Sequence, residues 1–218
     1  MFRASLLLFA FLLAASAAAS AQIITCAGNW AQIASAINAA SNAGDHDIRV
    51  LKGIHVMSGP ISVNLHPDAF LKIRGGYDPG CASRDLDPTN TTIAGQGVNA
   101  LRINHNRDFL LEGLTLRNLG GFVQSFDGAL DVSCSATDSN TRFVTVRHNI
   151  FSEIDGKYAG VHLWGDGPCR LAFRNNLVKA ITAPAGAGYF HGVSLCSGLF
   201  DSTRQGDYAD QNTFVAIN

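Results

Sequence analysis

Four polar residues whose side chains could contact a carbohydrate or transfer a proton recur at nearly even spacing in this chain. Each is the third residue of a segment that reads small, apolar, polar, apolar, and the four are Arg102, Asp131, His162 and Ser194. The segments begin at residues 100, 129, 160 and 192, which places them 29, 31 and 32 residues apart. Carboxylate and imidazole groups bond hydroxyls and transfer protons, so these positions predict a site if the fold brings them together.

An aromatic residue extends this set. Trp164 comes two positions after His162, just as Asn104, Ser133 and Cys196 follow the other three polar residues at the same distance. An exposed aromatic ring stacks on the face of a sugar, while neighbouring polar groups bond its hydroxyls. We therefore take as candidate ligand-binding residues Trp164, Asp131, His162, Arg102 and Ser194.

Plainer interpretations of the same residues stay open. Outward polar residues are needed on any solvated sheet face, and Trp164 could instead pack under the turn at 165–168. The series Asp131, His162 and Ser194 also suggests a hydrolase triad, but we expect side chains on stacked strands to point in parallel rather than converge on one proton.

Glycoside hydrolysis needs two carboxylates roughly 5–9.5 Å apart. Asp131 and Asp166 are the candidate pair. Asp166 lies in a Gly-Asp-Gly-Pro turn, however, where aspartate is ordinarily structural. We expect no catalytic residue with a defined role, and the chain is more readily interpreted as a binding protein than as an enzyme.

A second repeat series indicates how these residues are positioned. It comprises Gly113-Leu114, Asn149-Ile150, Asn176-Leu177 and Asn212-Thr213, spaced 36, 27 and 36 residues apart. Two interleaved series of similar period predict one structural unit of about thirty residues, built of short strands without a helix. Such a unit is typical of a parallel-strand solenoid, and the alternative is an antiparallel sandwich with fortuitous glycine turns.

The solenoid interpretation makes two specific expectations about side chains. The apolar residues of the first series should stack in one buried column: Leu101, Leu130, Val161 and Val193. The asparagines at 149, 176 and 212 should stack at one corner, where their amides bond along the column and a left-handed turn is tolerated.

One helix is predicted before the repeats. Asn29 can cap it, Gly44 can end it, and its apolar positions follow helical spacing at Trp30, Ile33, Ala34 and Ile37. Beyond residue 45 no window sustains a helical period.

Three segments carry a family resemblance. The stretches 47–53, 71–78 (with Gly-Gly-Tyr-Asp) and 87–95 (with Asp-Pro) resemble the opening coils of secreted bacterial right-handed parallel β-helix proteins, a group that includes pectate-lyase-like folds and polymorphic outer-membrane proteins. The resemblance implies an all-β, right-handed parallel β-helix solenoid over 45–218, with an N-terminal cap at 22–44 whose amphipathic helix covers the open end. The catalytic motifs of that group are missing, since no Arg-x-Pro-x-x-Arg, Asp-Asp or Arg-Ile-Lys sequence occurs.

The first residues read as a secretory signal peptide. Arg3 precedes the apolar run 6–15, and Ala19-Ser20-Ala21 matches a cleavage site, so 1–21 is assigned to the signal. A membrane anchor would need about twenty strongly apolar residues, but this run gives way to Ala and Ser after about ten, and no transmembrane span is expected in the mature chain. Because 16 Lys and Arg nearly balance 17 Asp and Glu, no nucleic-acid partner is expected. The expected location is secreted or at a bacterial cell surface.

Export makes disulfides possible for the five cysteines, an odd number. Cys26 and Cys81 flank the cap and are expected to pair. Among the other three, Cys134 with Cys169 is favoured, which leaves Cys196 free or paired with a partner outside this sequence. No C-x-x-C pair and no metal-ligand spacing of the histidines occurs, so neither a metal nor a cofactor is expected.

These observations favour a secreted or cell-surface scaffold that binds polysaccharide or surface glycans through its sheet faces. Two alternatives stand beside it. One is a β-helix polysaccharide lyase or glycoside hydrolase that is incomplete here. The other is a truncated product without activity, suggested because the sequence stops inside an apolar segment where a solenoid needs a polar cap.

Overall fold

A computed structural model describes residues 22–120, 128–136, 139–155, 159–182, 191–197 and 208–217. The signal peptide predicted for 1–21 lies outside the described residues. The described chain contains one α-helix, α1 (Trp30–Ala39), one 3-10 turn (Pro88–Asn90) and eighteen short strands.

The first nine strands, in chain order, are β1 (Gln22–Ala27), β2 (Asp45–Leu51), β3 (Gly53–Val56), β4 (Ile61–Asn64), β5 (Phe70–Tyr77), β6 (Thr91–Ala94), β7 (Leu101–His105), β8 (Phe109–Glu112) and β9 (Thr115–Arg117). The remaining nine are β10 (Gly128–Ser135), β11 (Arg142–Arg147), β12 (Ile150–Asp155), β13 (Ala159–Asp166), β14 (Cys169–Arg174), β15 (Leu177–Thr182), β16 (His191–Ser197), β17 (Tyr208–Asp210) and β18 (Thr213–Ile217).

The strands form three sheets, and each sheet takes every third strand. The first sheet has the order β1-β2-β5-β8-β11-β14-β17, the second β3-β6-β9-β12-β15-β18, and the third β4-β7-β10-β13-β16. From β2 onward the chain therefore visits the three sheets in strict rotation. The protein is all-β, with three parallel sheets, which is consistent with a β-helix-like solenoid.

Strand pairing within the sheets is parallel throughout the described strands. The antiparallel sandwich is therefore wrong. Parallel neighbours in this chain lie about thirty residues apart because the chain passes through the other two sheets before it returns.

The predicted apolar column lies in register in the third sheet. Leu101 pairs with Leu130, Leu130 with Val161, and Val161 with Val193. The first three are at most 2% exposed, whereas Val193 is only partly buried against the core. Val193 lies on the last strand of its sheet, so it has a described strand neighbour on one side alone. Each fully buried side chain of this kind contributes roughly 1.5–3 kcal/mol.

The three asparagines stack at one corner, as the repeat predicts. The amide Oδ1 of Asn176 accepts from the backbone N–H (3.0 Å) and Nδ2 (3.2 Å) of Asn149, and Asn212 Oδ1 accepts from the same two groups of Asn176 at 2.9 and 3.2 Å. Each Nδ2 also donates to the carbonyl of an apolar strand residue, such as Val146 for Asn176. This ladder satisfies buried backbone groups at a turn.

The left-handed turn itself was placed one residue too late by the sequence. Positive φ occurs at the residue before each ladder asparagine, His148 (53°), Asn175 (52°) and Gln211 (55°). It also occurs at Gly113 (71°), which precedes Leu114, and Leu114 rather than Gly113 aligns with Asn149 because its N–H donates to Asn149 Oδ1.

The N-terminal region differs from the prediction in two ways. The helix begins as expected, since Asn29 Oδ1 accepts from the N–H of Gln32 at 3.0 Å, but it ends at Ala39 rather than near Gly44. The N–H of Ala40 bonds the Asn38 and Ile37 carbonyls, which tightens the last turn. Residues 22–27, expected to belong to the cap, form β1 in the first sheet.

The helix buries one apolar face against the first strands. Trp30, Ile33 and Ile37 are at most 7% exposed, and α1 packs against β1, β2 and β4. No described helix has the length and apolar character that crossing a membrane requires.

Two disulfides join distant parts of the chain. Cys26 pairs with Cys81 (Cα–Cα 5.9 Å) and Cys134 with Cys169 (6.1 Å), the same pairs that the sequence suggests, and Cys196 keeps a free thiol. The closed loops span 55 and 35 residues. Loops of this size stabilise the fold by about 4 kcal/mol each on the loop-entropy model. Disulfides of this kind are compatible with an extracellular location.

The asparagine ladder makes a testable prediction about stability. Asn176→Ala should lower the free energy of unfolding by about 3 kcal/mol, because the buried N–H of Asn149 and the Val146 carbonyl lose their partner. Urea denaturation followed by circular dichroism measures this loss. Asn38→Ala, at an exposed helix position, is the control and should change stability by no more than about 0.5 kcal/mol. Equal losses in both variants would show that the ladder is not a stabilising element.

Candidate functional site

A groove runs across the outer face of the third sheet. Its volume is about 580 Å³. The described residues that line it are Asn64, Leu65, Arg102, Asn104, His105, Asn106, Asp131, Ser133, Ser135, His162 and Trp164. Four of the five candidate ligand-binding residues are among them, and Ser194 is not.

Strand register aligns outward side chains of the third sheet in two rows, and seven of the groove residues belong to them. The first row runs through Ser62, Arg102, Asp131, His162 and Ser194, one residue from each of β4, β7, β10, β13 and β16. The second row lies two residues further along the same strands, at Asn64, Asn104, Ser133, Trp164 and Cys196. Each row contains one side chain from every strand of the sheet. Neighbouring members of a row are on strands about 4.8 Å apart.

Asp131 joins the first row together. Its carboxylate accepts from Arg102 Nε at 3.2 Å and from His162 Nδ1 at 3.1 Å. The first row was expected to be exposed, which is wrong for three of its members: Asp131 is 5% exposed, and His162 and Ser194 are 8% exposed. An ion pair and a hydrogen bond along the row draw adjacent side chains together, so they shield one another from solvent.

The side chains of Asp131, His162 and Ser194 do not all point in parallel, as was expected of residues on stacked strands. Asp131 and His162 do converge on one hydrogen bond, although they lie on parallel strands. Ser194 follows His162 in register, but its Oγ lies 3.2 Å from the Sγ of Cys196. The described contacts therefore include an Asp131–His162 hydrogen bond and a Ser194–Cys196 contact.

Trp164 presents its indole to the groove. The side chain is 39% exposed, and its ring centroid lies 6.4 Å from that of His162 with the planes tilted by 55°. Such exposure leaves part of the ring open for contact with a ligand. Ser133 and Cys196 are its neighbours in the second row.

The expected carboxylate pair does not form. Asp166 is in register with Ser135, four residues beyond Asp131 along the strands. At about 3.3 Å per residue this is roughly 13 Å, beyond the range for glycoside hydrolysis. The Oδ1 of Asp166 accepts from the N–H of Gly167 at 2.8 Å, which is a turn contact. Asp131 is the one carboxylate among the described residues that line the groove.

Asn64 was missed by the sequence. Asn104 Nδ2 donates to Asn64 Oδ1 at 2.8 Å, so the two amides form a polar pair in the second row. The segment Ile61–Asn64 has the same alternation as the later strands. It precedes Leu101 by 40 residues, however, and that spacing falls outside the period of about thirty on which the series was built.

His105 is a second residue that the sequence did not identify. It is 2% exposed, its ring lies 5.7 Å from Phe109, and its Nδ1 contacts the carbonyl of Arg107 at 2.5 Å. Burial lowers the pKa of His105 to about 4, more than this hydrogen bond raises it. His105 is therefore neutral at pH 7, with its proton on Nδ1.

In the part of the chain that is described, no three His, Cys, Asp or Glu side chains are grouped closely enough to hold a metal ion. No known family model, no curated protein and no solved structure matches this chain. What the groove does must therefore be inferred from its own geometry.

The burial of His105 predicts an acid-sensitive step. Its pKa is about 4 in the folded chain, below the ordinary value of 6.5, so the unfolded state binds the proton more readily. Stability should therefore decrease as the pH falls from 6.5 to 4, by roughly 3 kcal/mol from this group. Urea denaturation at pH 7, 5.5 and 4 measures the decrease.

His105→Phe is the matched variant, because it keeps an aromatic ring beside Phe109 and removes the titrating group. Its stability should depend less on pH over the same interval. If both proteins lose stability equally between pH 6.5 and 4, His105 is not the group responsible.

Proposed function

We propose that this protein is a right-handed parallel β-helix that acts as an extracellular or cell-surface scaffold, and that it binds neutral glycans in the groove of the third sheet. The observation that carries the proposal is the partly exposed ring of Trp164, which lies among in-register polar side chains in an open groove. Such a combination of aromatic and polar groups is suited to a sugar, which has an apolar face and hydroxyl edges.

The fold part of the proposal is supported by the strand order. A chain that visits three parallel sheets in rotation completes one coil about every thirty residues. Connections between parallel strands of one sheet are right-handed in nearly all proteins, and we infer that handedness here. The resemblance to secreted bacterial β-helix proteins and the two disulfides agree with this assignment and with an extracellular location.

The groove contains both hydrogen-bond donors and hydrogen-bond acceptors. The amides of Asn64 and Asn104 donate and accept, the hydroxyls of Ser133 and Ser135 do the same, and all four line the groove. Asn64, Asn104 and Ser133 lie on three successive strands on one side of Trp164, and Ser135 lies two residues beyond Ser133 on β10. A ligand with repeated hydroxyl groups would therefore meet equivalent partners on successive strands.

The charges in the groove favour a neutral ligand. The positive charge of Arg102 is balanced by Asp131 at 3.2 Å, and the buried His105 is neutral at pH 7. Among the described residues of the groove, the single arginine is therefore opposed by the single carboxylate. A neutral glycan would avoid the free-energy cost of breaking the Arg102–Asp131 pair.

A polysaccharide lyase is the second candidate function, and one observation favours it. The hydrogen bond from His162 to Asp131 could orient the imidazole as a general base beside Arg102. Hydrolysis is less well supported, since Asp131 lacks a second carboxylate among the described groove residues. We favour binding because Arg102 is already paired and so is a poor partner for the carboxylate of a uronate substrate.

Trp164→Ala tests the binding proposal. The variant should bind neutral oligosaccharides from a glycan array about tenfold more weakly or worse, since loss of a stacking ring removes on the order of 1.4 kcal/mol. Its melting temperature should stay near that of the wild type. Phe143→Ala is the control, because Phe143 is an aromatic residue 52% exposed on the first sheet. This control should leave glycan affinity unchanged.

Three outcomes would contradict the proposal. Unchanged glycan binding with a lowered melting temperature would make Trp164 a structural residue. Failure of the wild type to bind any glycan would favour the product without activity. Release of unsaturated uronate products from an acidic polysaccharide, detected by ultraviolet absorbance and lost in His162→Gln, would establish the lyase instead.

A further inference from the structure

Four arginines lie together on the outer face of the first sheet, away from the groove. Arg49, Arg74 and Arg147 occupy equivalent positions on β2, β5 and β11, in one row with Glu112 of β8. The fourth, Arg84, comes from the segment after β5 and forms an isolated bridge with Tyr77. We call Arg49, Arg74, Arg84 and Arg147 the arginine face.

Two buried carboxylates hold these four side chains. Asp47 pairs with Arg49 Nε at 3.1 Å and with Arg74 through two hydrogen bonds. The carboxylate of Glu112 forms ion pairs with Arg84 Nη1 and with Arg147 Nε, each at 2.6 Å. Each carboxylate therefore serves two guanidinium groups. The arginine face has four positive charges against two negative ones.

Both carboxylates stay ionised at neutral pH. Burial would raise the pKa of Asp47 and of Glu112, since their residues are 0% and 5% exposed. The hydrogen bonds and charges of the neighbouring arginines outweigh burial, so each pKa lies below its ordinary value. The arginine face therefore carries an excess of two positive charges even though both Asp47 and Glu112 are ionised.

The guanidinium groups are held in place by further contacts. Arg49, Arg74 and Arg84 each lie 5.4–5.6 Å from the ring centre of Tyr77, which is 5% exposed beneath them. Arg49 Nη1 donates to the carbonyl of Cys81 at 3.0 Å, and Arg84 Nε donates to that of Gly75 at 2.8 Å. A ligand would therefore meet a face whose charges are already positioned.

The arginines remain partly open to solvent, with side-chain exposures of 25% for Arg49, 23% for Arg74, 15% for Arg84 and 40% for Arg147. Arg147 makes its ion pair through Nε, which leaves both terminal amino groups for other acceptors.

The neighbouring charges are of both signs, and the row continues from Arg147 to Arg174 of β14, which pairs with Asp210 at 3.6 Å. Lys52 pairs with Asp78 at 2.9 Å. The pKa of Lys52 is raised by its hydrogen bond to Asp78 and also by the charge of Asp85, which accepts from Asn90 Nδ2 and from the N–H of Asp87.

We propose that the arginine face binds an anionic polysaccharide, one that carries sulfate or carboxylate groups. Like charges on adjacent strands repel, and here carboxylates neutralise only half of them, so an anion would relieve repulsion built into the fold. Guanidinium groups pair with sulfate and carboxylate oxygens in a directional way. The proposal is independent of the groove, which is on another sheet and has balanced charges.

Single-stranded nucleic acid fits this face less well. Proteins that bind it combine positive charge with exposed aromatic rings on which bases stack. Tyr77 is covered by the guanidinium groups, and the whole chain has no excess of basic residues.

The test compares dextran sulfate with unsulfated dextran. The wild type should bind dextran sulfate more tightly than dextran, and the affinity for dextran sulfate should fall as salt rises. The double variant Arg49→Gln/Arg147→Gln should bind at least tenfold more weakly. Arg117→Gln is the matched control, because Arg117 is a 56% exposed, ion-paired arginine of the second sheet and its loss removes the same type of charge. It should retain affinity within about twofold of the wild type.

Circular dichroism and urea denaturation establish that each variant folds. If the double variant does not fold, Arg147→Gln alone replaces it, since Arg147 is the most exposed of the four, and should bind at least threefold more weakly. Trp164→Ala should keep its affinity for dextran sulfate, which separates this proposal from the one for the groove.

Several results would overturn the proposal. The proposal fails if the wild type does not bind dextran sulfate, or if Arg117→Gln loses as much affinity as the arginine-face variants. Loss of binding in Trp164→Ala alone would place the polyanion in the groove. Equal affinity for single-stranded DNA of the same charge, with the same dependence on Arg147, would mean a general polyanion surface rather than a polysaccharide site.

Discussion

Parallel register between residues about thirty positions apart is the constraint on which the rest of this structure depends. A slip of one residue would turn every apolar side chain outward and every polar side chain into the core. A slip would expose the buried side chains of Leu101, Leu130 and Val161. It would also break the asparagine ladder, because each Oδ1 accepts from the backbone N–H of one particular residue on the neighbouring coil. Sequence period and packing therefore specify the same alignment.

The strand register also determines which polar side chains are neighbours on the outer faces, and two of these faces carry different charged groups. In the third sheet, Arg102, Asp131 and His162 form a row in which Asp131 pairs with Arg102 and accepts a hydrogen bond from His162, beside a partly exposed tryptophan. In the first sheet, two buried carboxylates hold four arginines and leave excess positive charge. One repeating architecture thus offers a neutral groove and a cationic face on different sides. Because the two surfaces differ in charge, the proposed ligand of the groove is a neutral glycan and that of the arginine face is an anionic polysaccharide.

The repeat spacing was enough to predict the parallel strands and the neighbours of Asp131 and Trp164. It did not reveal β1, because the short segment 22–27 has no partner at the common period, or the strand with Asn64, because 40 residues separate it from its equivalent. The burial of the first row was also missed, since spacing does not report side-chain pairing. The arginine face depends on Arg84, which reaches Glu112 from outside the strands and follows no period.

The most direct test of the central claim, that aligned rows on the third sheet form a glycan site, is an NMR titration of labelled protein with neutral oligosaccharides. The account predicts that the indole N–H of Trp164 and the backbone amides of β7, β10 and β13 shift together and saturate. The indole of Trp30, which is 7% exposed under the helix, should not move. Absence of shifts at high sugar concentration, or shifts confined to the first or second sheet, would contradict the claim.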